Sequence, residues 1–165
     1  MISVAIVTIS DSVAAGTRQD GSGPALTEKI QALGWHTVNM VILPDDVQQI
    51  SNALTALADF DGVDIAITTG GTGIALRDVT PEAVHAIADR EIPGLGELMR
   101  SEGRKSTQFA PLSRGGGYTR GRTLILCLPG SVRGAVDSLN AVADLAPHIV
   151  DLLHGRTEHV SKPAS

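Results

Sequence analysis

The chain is predicted to be an α/β protein, a three-layer α/β/α sandwich around a mostly parallel sheet. Two observations carry that prediction. Short runs rich in Val, Ile and Leu alternate with helical stripes along the 165 residues. The runs are continuously apolar, as in strands covered on both faces. Composition agrees: 42% of residues are hydrophobic but only 2% aromatic (Trp35, Phe60, Phe109 and Tyr118), and 18 are glycine. Such a core is aliphatic, with glycine available for turns. The length suits one domain, and no repeat or composition break divides it. The expected division is a domain over 1–155 and a flexible tail over 156–165.

The elements follow in order. Residues 2–9 form a β-branched run and read as a buried strand. A polar, glycine-rich loop runs from Ser10 to Gly23. Pro24 suits the first residue of a helix, Leu26, Ile30 and Leu33 supply its stripe, and Gly34 stops it. Residues 35–43 are a second strand, closed by Pro44. Either Asp45 or Asp46 can cap the next helix, over about 47–58. Asp64–Thr69 is a third strand that runs into Gly70-Gly-Thr-Gly73. Thr80 and Pro81 read as N-cap and first residue of a helix to Ala88. Residues 94–104 are a short helix, and 108–122 a loop with a short edge strand before Gly115-Gly-Gly117. Residues 123–128 are a further buried strand. Ser131 caps a helix with the stripe Val132, Val136, Leu139 and Val142. Pro147 opens the last helix, which Gly155 ends.

Charge and cysteine usage narrow the function. The net charge of −5 argues against a generic nucleic-acid backbone binder. The scarcity of aromatics argues against single-strand binding by base stacking. Within the mild acidity, residues 100–122 hold six bases (Arg100, Arg104, Lys105, Arg114, Arg120, Arg122) and one acid, Glu102. That segment reads either as a solvated surface or as an anion site for a small phosphorylated ligand. Cys127 is the only cysteine and sits in the run Thr123–Leu128, as a buried structural thiol does. The five histidines form no metal-binding pair, and they read as surface or packing residues. The N-terminus lacks the basic region and cleavage site of a signal peptide. No apolar stretch is long enough to span a bilayer. The expected location is cytoplasmic.

In parallel α/β sheets ligands bind beyond the carboxyl ends of the strands. Four loops follow strands here: Ser10-Asp11-Ser12, Pro44-Asp45-Asp46, Gly70 to Asp78, and Pro129-Gly130-Ser131. Together they offer N–H groups, hydroxyls and carboxylates, the equipment for a phosphorylated ligand with a divalent metal. Gly70-Gly71-Thr72-Gly73 lets the backbone approach a ligand and can line up N–H groups for an anion. It is not a Walker A loop, since no Gly-Lys-Ser/Thr follows, nor a dinucleotide fingerprint, because Leu76 stands where the third glycine belongs. Asp45 and Asp78 are candidate Mg²⁺ ligands. For Asp45 the alternative is a helix cap; for Asp78, an ion pair with Arg77 or a turn before Thr80. Asp11 and Asp20 flank the first loop. Ser113 and Arg114 can meet an anionic ligand or simply be exposed.

Eight blocks then occur in order: Thr8-Ile-Ser-Asp-Ser12, Asp20-Gly-Ser-Gly-Pro24, Pro44-Asp-Asp46, Thr68-Thr-Gly-Gly-Thr-Gly73, Arg77-Asp-Val-Thr-Pro-Glu82, Pro93 to Arg100, Leu112-Ser-Arg114 and Leu128-Pro-Gly-Ser131. In these the chain resembles the Mog/MoaB family of molybdenum cofactor biosynthesis proteins, over about residues 2–153. The resemblance implies a Mog/MoaB-like fold and a molybdopterin adenylyltransferase. Such an enzyme transfers AMP from Mg-ATP to the molybdopterin phosphate and releases pyrophosphate. Asp45 and Asp78 match the family's catalytic aspartates, which also hold Mg²⁺. The resemblance places substrate binding on Ser10, Asp11, Thr69, Gly70, Gly71, Thr72, Gly73, Ser113, Arg114, Gly130 and Ser131. It further implies a homotrimer, with hexamers in the MoaB branch, and a downstream molybdenum-insertion protein as partner. A non-catalytic pterin-binding or carrier protein of the same fold is the alternative. One departure is Val132, where many relatives have Pro after Leu-Pro-Gly-Ser.

Overall fold

A computed structural model describes residues 1–156. The expected tail therefore lies, apart from Arg156, outside the described residues. Six strands form one sheet in the order β2-β1-β3-β6-β5-β4. They are β1 (Ser3–Ile9), β2 (His36–Leu43), β3 (Ile65–Thr69), β4 (Arg90–Ile92), β5 (Gly116–Arg120) and β6 (Thr123–Leu128). The ladders β2-β1, β1-β3 and β3-β6 are parallel, and β6-β5 and β5-β4 antiparallel. The sheet is thus mostly parallel, as the continuous apolar runs require: β3 and β6 are buried at every position.

Alternate residues of the central strands feed two cores. Val4, Ile6, Ile65, Ile67, Leu124 and Leu126 point to one face. There they meet α2 (Ser22–Ala32), α5 (Pro93–Arg104), α6 (Val132–Val142) and α7 (Ala146–Leu153). Ala5, Val7, Ala66, Ile125 and Cys127 point to the other, against α3 (Val47–Asp59) and α4 (Thr80–His85). The three expected layers result. Cys127 is fully buried, and burial pushes its thiol up to about 12. It is the structural thiol its apolar run suggested.

Besides the unexpected edge strand β4, four local features differ from expectation. The first loop opens with a helical turn, α1 (Asp11–Ala14), because Ser10 accepts a hydrogen bond from the Val13 N–H at 3.4 Å. α2 begins at Ser22, so Pro24 lies inside its first turn. Thr80 is not the cap of α4: Val79 takes that position, and the buried Thr80 hydroxyl donates to Gly70 O at 2.9 Å. Finally, β5 begins within the glycine triplet, and a 3-10 turn (Ala110–Leu112) precedes it. Glycine in that strand has a packing reason: a Cβ on Gly117 would lie 2.3 Å from the Leu95 side chain of α5.

Candidate functional site

The strand order reverses direction at β1, whose neighbours β2 and β3 both follow it in sequence. Loops leaving the carboxyl ends of β1 and β3 therefore diverge and leave a crevice, the usual ligand position in such sheets. A cleft of about 310 Å³ lies there. Ser10, Asp11, Asp45, Gly70, Gly71, Asp78, Gly130 and Ser131 all line it. Residues selected from four separate loops of the sequence thus meet at one place.

The carboxylates are held rigidly. Asp11 N–H donates to Asp45 Oδ2 at 3.1 Å, and Asp45 N–H donates to Asp11 Oδ1 at 2.9 Å. This reciprocal pair fixes the loop after β2 against the loop after β1. The cap of α3 is Asp46, whose Oδ1 accepts the Gln49 N–H at 2.8 Å. Asp45 is consequently free of the capping role left open by sequence. Asp78 Oδ2 accepts the Ala75 N–H at 3.0 Å, so a local turn orients it. Among the described residues Asp78 forms no ion pair with Arg77, and Oδ1 of both Asp45 and Asp78 has no hydrogen-bond donor. Burial raises the Asp45 pKa, and the Asp11 and Asp78 carboxylates add to the rise; the Asp11 N–H and Arg77 oppose it. A half-buried carboxylate beside two others favours a cation.

The glycine loop packs against bare backbone. Gly70 has φ +108°, and a Cβ there would lie 2.1 Å from Ile9 O. Gly70 N–H donates to Leu128 O at 3.0 Å, which ties the ends of β3 and β6. Gly71 has φ +66°. A Cβ on it would lie 2.4 Å from Thr80 Oγ1 and 3.0 Å from Asp45 Oδ1. Among the described residues, the N–H groups of Gly71, Thr72 and Gly73 meet no protein acceptor. Free N–H groups at a turn of positive φ are suited to an anion.

Other predicted site residues lie beside the cleft. Thr69 is buried and its hydroxyl donates to Pro129 O at 2.8 Å, a structural use. Thr72 is buried too, and Ser113 Oγ lies 3.3 Å from its hydroxyl. Arg114 N–H donates to Thr72 O at 2.8 Å, so the Leu-Ser-Arg loop does reach the glycine loop. The Arg114 guanidinium, however, is committed to Gly73 O at 2.9 Å, Asp78 O at 2.8 Å and the Glu82 carboxylate. It braces the loop that carries Asp78. Ser113 and Arg114 line a separate cavity of about 460 Å³, shared with His85, Glu91 and Tyr118.

Most bases of residues 100–122 are engaged by other groups of the chain. Arg100 donates to Ser113 O and Gly115 O, Arg104 to Gln108 O, and Arg120 to Asp59 and Ile87 O. Lys105 pairs with Glu102. With Arg114, every base of this segment except Arg122 has a protein oxygen as partner among the described residues, Lys105 only in an exposed pair. The cations that do line the cleft are Arg18 and Arg77. As site cations neither stands out in the sequence, although each lies in a loop beyond the carboxyl end of a strand. Asp20 joins the Thr8 hydroxyl at 2.8 Å to the Gly23 N–H at 3.0 Å and so anchors α2 on β1. It lines an adjoining cavity of about 270 Å³ with Ser10, Thr69, Gly130 and Ser131.

Comparison with known proteins finds the same architecture. Residues 5–148 match the family described as "Probable molybdopterin binding domain". The molybdopterin adenylyltransferase of Escherichia coli (strain K12) is 38% identical over 154 residues, covering 92% of this chain and 78% of that protein. The molybdopterin adenylyltransferase of Helicobacter pylori (strain ATCC 700392 / 26695) is 34% identical over 163 residues, 98% of this chain and 93% of that protein. The crystal structure of the molybdopterin biosynthesis enzyme MoaB from Thermus thermophilus superposes with a TM-score of 0.89 at 45% identity, covering 94% of this chain and 98% of that one.

Proposed function

The chain belongs to the molybdopterin-binding domain family, and we propose that it is a molybdopterin adenylyltransferase, moving AMP from Mg-ATP to the phosphate of molybdopterin with release of pyrophosphate. The observation that carries the reading is the cleft itself: Asp45 and Asp78, from loops after different strands, face one cavity that Gly71 of the glycine loop, with its free N–H, also lines. The naming of relatives as adenylyltransferases supports it.

The chemistry asks little of the protein in covalent terms. The substrate phosphate is itself the nucleophile at the α-phosphorus, so no Ser-His or Cys-His pair is required. The task is to set two anions against each other and neutralise them. The glycine-loop N–H groups and the N-terminal end of α6 at Ser131 suit phosphate oxygens. Asp45 and Asp78 fit a Mg²⁺ ion, since each keeps one oxygen unengaged and hard oxygen donors are what that ion takes. No three His, Cys, Asp or Glu side chains converge as a metal cluster among the described residues. Two carboxylates plus substrate phosphate is therefore the donor set that fits. Mg²⁺ bound there supplies charge neutralisation at the phosphates.

Also within the proposal are the cytoplasmic location, a homotrimeric assembly and hand-over of the product to a molybdenum-insertion protein. Family resemblance supports the assembly and the hand-over, and light scattering separates a trimer from a hexamer. The decisive experiment incubates the protein with molybdopterin and Mg-ATP and measures pyrophosphate. Release dependent on both substrates is expected. Pterin binding without pyrophosphate would identify a carrier instead and refute the enzymatic reading.

A further inference from the structure

The cleft carries three carboxylates, Asp11, Asp45 and Asp78, against two arginines. A site for a polyphosphate needs cations that are not already engaged. Arg77 is adjacent to Asp78 in sequence and acts electrostatically on Asp45. Arg18 comes from a different element, the loop after α1, and hydrogen bonds set its position. Thr17 N–H, Thr17 Oγ1 and Arg18 N–H all donate to Ser12 O, at 2.9, 3.0 and 3.2 Å. The loop is thereby wound back over α1. The exposed Arg18 side chain then reaches Ser10, with Nη2 3.4 Å from its hydroxyl. Among the described residues its guanidinium has no carboxylate within ion-pair distance. This contrasts with Arg114 and Arg120, whose forks are filled by protein oxygens.

Arg18 also stands at a junction. It lines both the carboxylate cleft and the adjoining 270 Å³ cavity, whose shared walls are Ile9, Ser10, Gly130 and Ser131. A substrate extending from one cavity to the other would run along walls to which Arg18 contributes. We infer that Arg18 is a substrate-binding residue that takes the β- and γ-phosphates of the nucleoside triphosphate, and then the pyrophosphate that leaves. The inference rests on the adenylyl-transfer reading. In that step an oxygen of the pterin phosphate forms a bond to the α-phosphorus. The bond from the α-phosphorus to the bridging oxygen breaks, and its electron pair departs on pyrophosphate. Negative charge builds on that leaving group, where a free guanidinium presents a bidentate fork.

The test compares wild-type protein with Arg18→Gln and Arg18→Lys, the side chain being exposed and outside the core. Calorimetric titration with inorganic pyrophosphate, Mg-ATP and AMP is read beside steady-state kinetics. Arg18→Gln is expected to weaken pyrophosphate binding and raise KM for Mg-ATP by about tenfold. Affinity for AMP and KM for molybdopterin should stay within about twofold, and Arg18→Lys should recover part of the loss. Unchanged pyrophosphate affinity in Arg18→Gln, in a wild-type protein that turns over, overturns this assignment alone. A change confined to KM for molybdopterin overturns it as well. A wild-type protein that releases no pyrophosphate overturns the adenylyl-transfer reading and this assignment together.

Discussion

Replacing Gly70 by Ala tests whether the glycine loop is held by backbone contact, and its cost can be worked out against a control in the same chain. Gly62 has φ +63°, and a Cβ there would meet nothing within 4 Å. Gly62→Ala should carry only the cost of the left-handed conformation, about 1–2 kcal/mol. Reduced freedom of the unfolded chain offsets this by about 0.4–1 kcal/mol, for a net loss of about 1 kcal/mol. Gly70, at φ +108°, carries the conformational cost and a clash: its Cβ would sit 2.1 Å from Ile9 O, where ordinary contact begins at 3.4 Å. The ends of β1 and β3 must separate by roughly 1 Å to relieve it, which is large for a close-packed interior. That movement strains the bonds from Gly70 N–H to Leu128 O and from the Thr80 hydroxyl to Gly70 O. Each contributes about 1 kcal/mol. Gly70→Ala should therefore lose about 3 kcal/mol in urea unfolding at fixed protein concentration, and with it adenylyl transfer. A Gly70→Ala stability within about 1 kcal/mol of Gly62→Ala would refute the close-contact account of the loop.

Asp45→Asn and Asp78→Asn should each lower kcat by at least about a hundredfold. Thermal midpoints should stay near wild type, because Asn preserves the hydrogen-bond acceptor and relieves carboxylate repulsion; pyrophosphate release and a melting curve check this. Addition of a chelator should abolish turnover, and Mg²⁺ should restore it, as followed in the same assay. Cys127, with its thiol raised to about 12 by burial, should resist a thiol reagent at about pH 8 in native protein and react only in denaturant. The Arg114 hydrogen bond holds the Glu82 pKa below the usual range. Its stabilisation is therefore present above about pH 4.3 and is lost as pH falls through the lower folded value. For this half-exposed pair the contribution is about 0.5 kcal/mol. Glu82→Gln should flatten the acid limb of a stability-pH curve by that amount.

The sheet was legible because its signal is redundant. Every central strand is a continuous apolar run, and every loop at its carboxyl end starts with a turn or capping residue. β4 and β5 were not legible for the opposite reason. Arg90-Glu-Ile92 is too short and polar to register, and β5 opens on Gly116-Gly117, which reads as turn. Those glycines answer to packing that no local pattern shows: Gly117 has room only for a hydrogen beneath Leu95 of α5.

The site shows where such reading ends, and the doublet Asp45-Asp46 makes the point. Both residues can cap a helix, both can hold a cation, and sequence position does not divide the roles. The division comes from the reciprocal bonds between Asp11 and Asp45. They require the loop after β1, displaced by 34 residues in sequence, to lie beside the loop after β2. Once Asp45 is held there, Asp46 is the residue left to meet the Gln49 N–H. The arginines obey the same logic in reverse. Charge density pointed to residues 100–122, yet what a cation can do for a ligand depends on whether its donors are free. Arg100, Arg114 and Arg120 direct theirs to carbonyls and carboxylates of this chain. Arg18, in a loop with no cluster of charge to mark it, lines the cleft with a single long bond to the Ser10 hydroxyl and no carboxylate partner among the described residues. Anion binding is thus decided by unengaged donors at the crevice, and composition counts charges whether they are engaged or not.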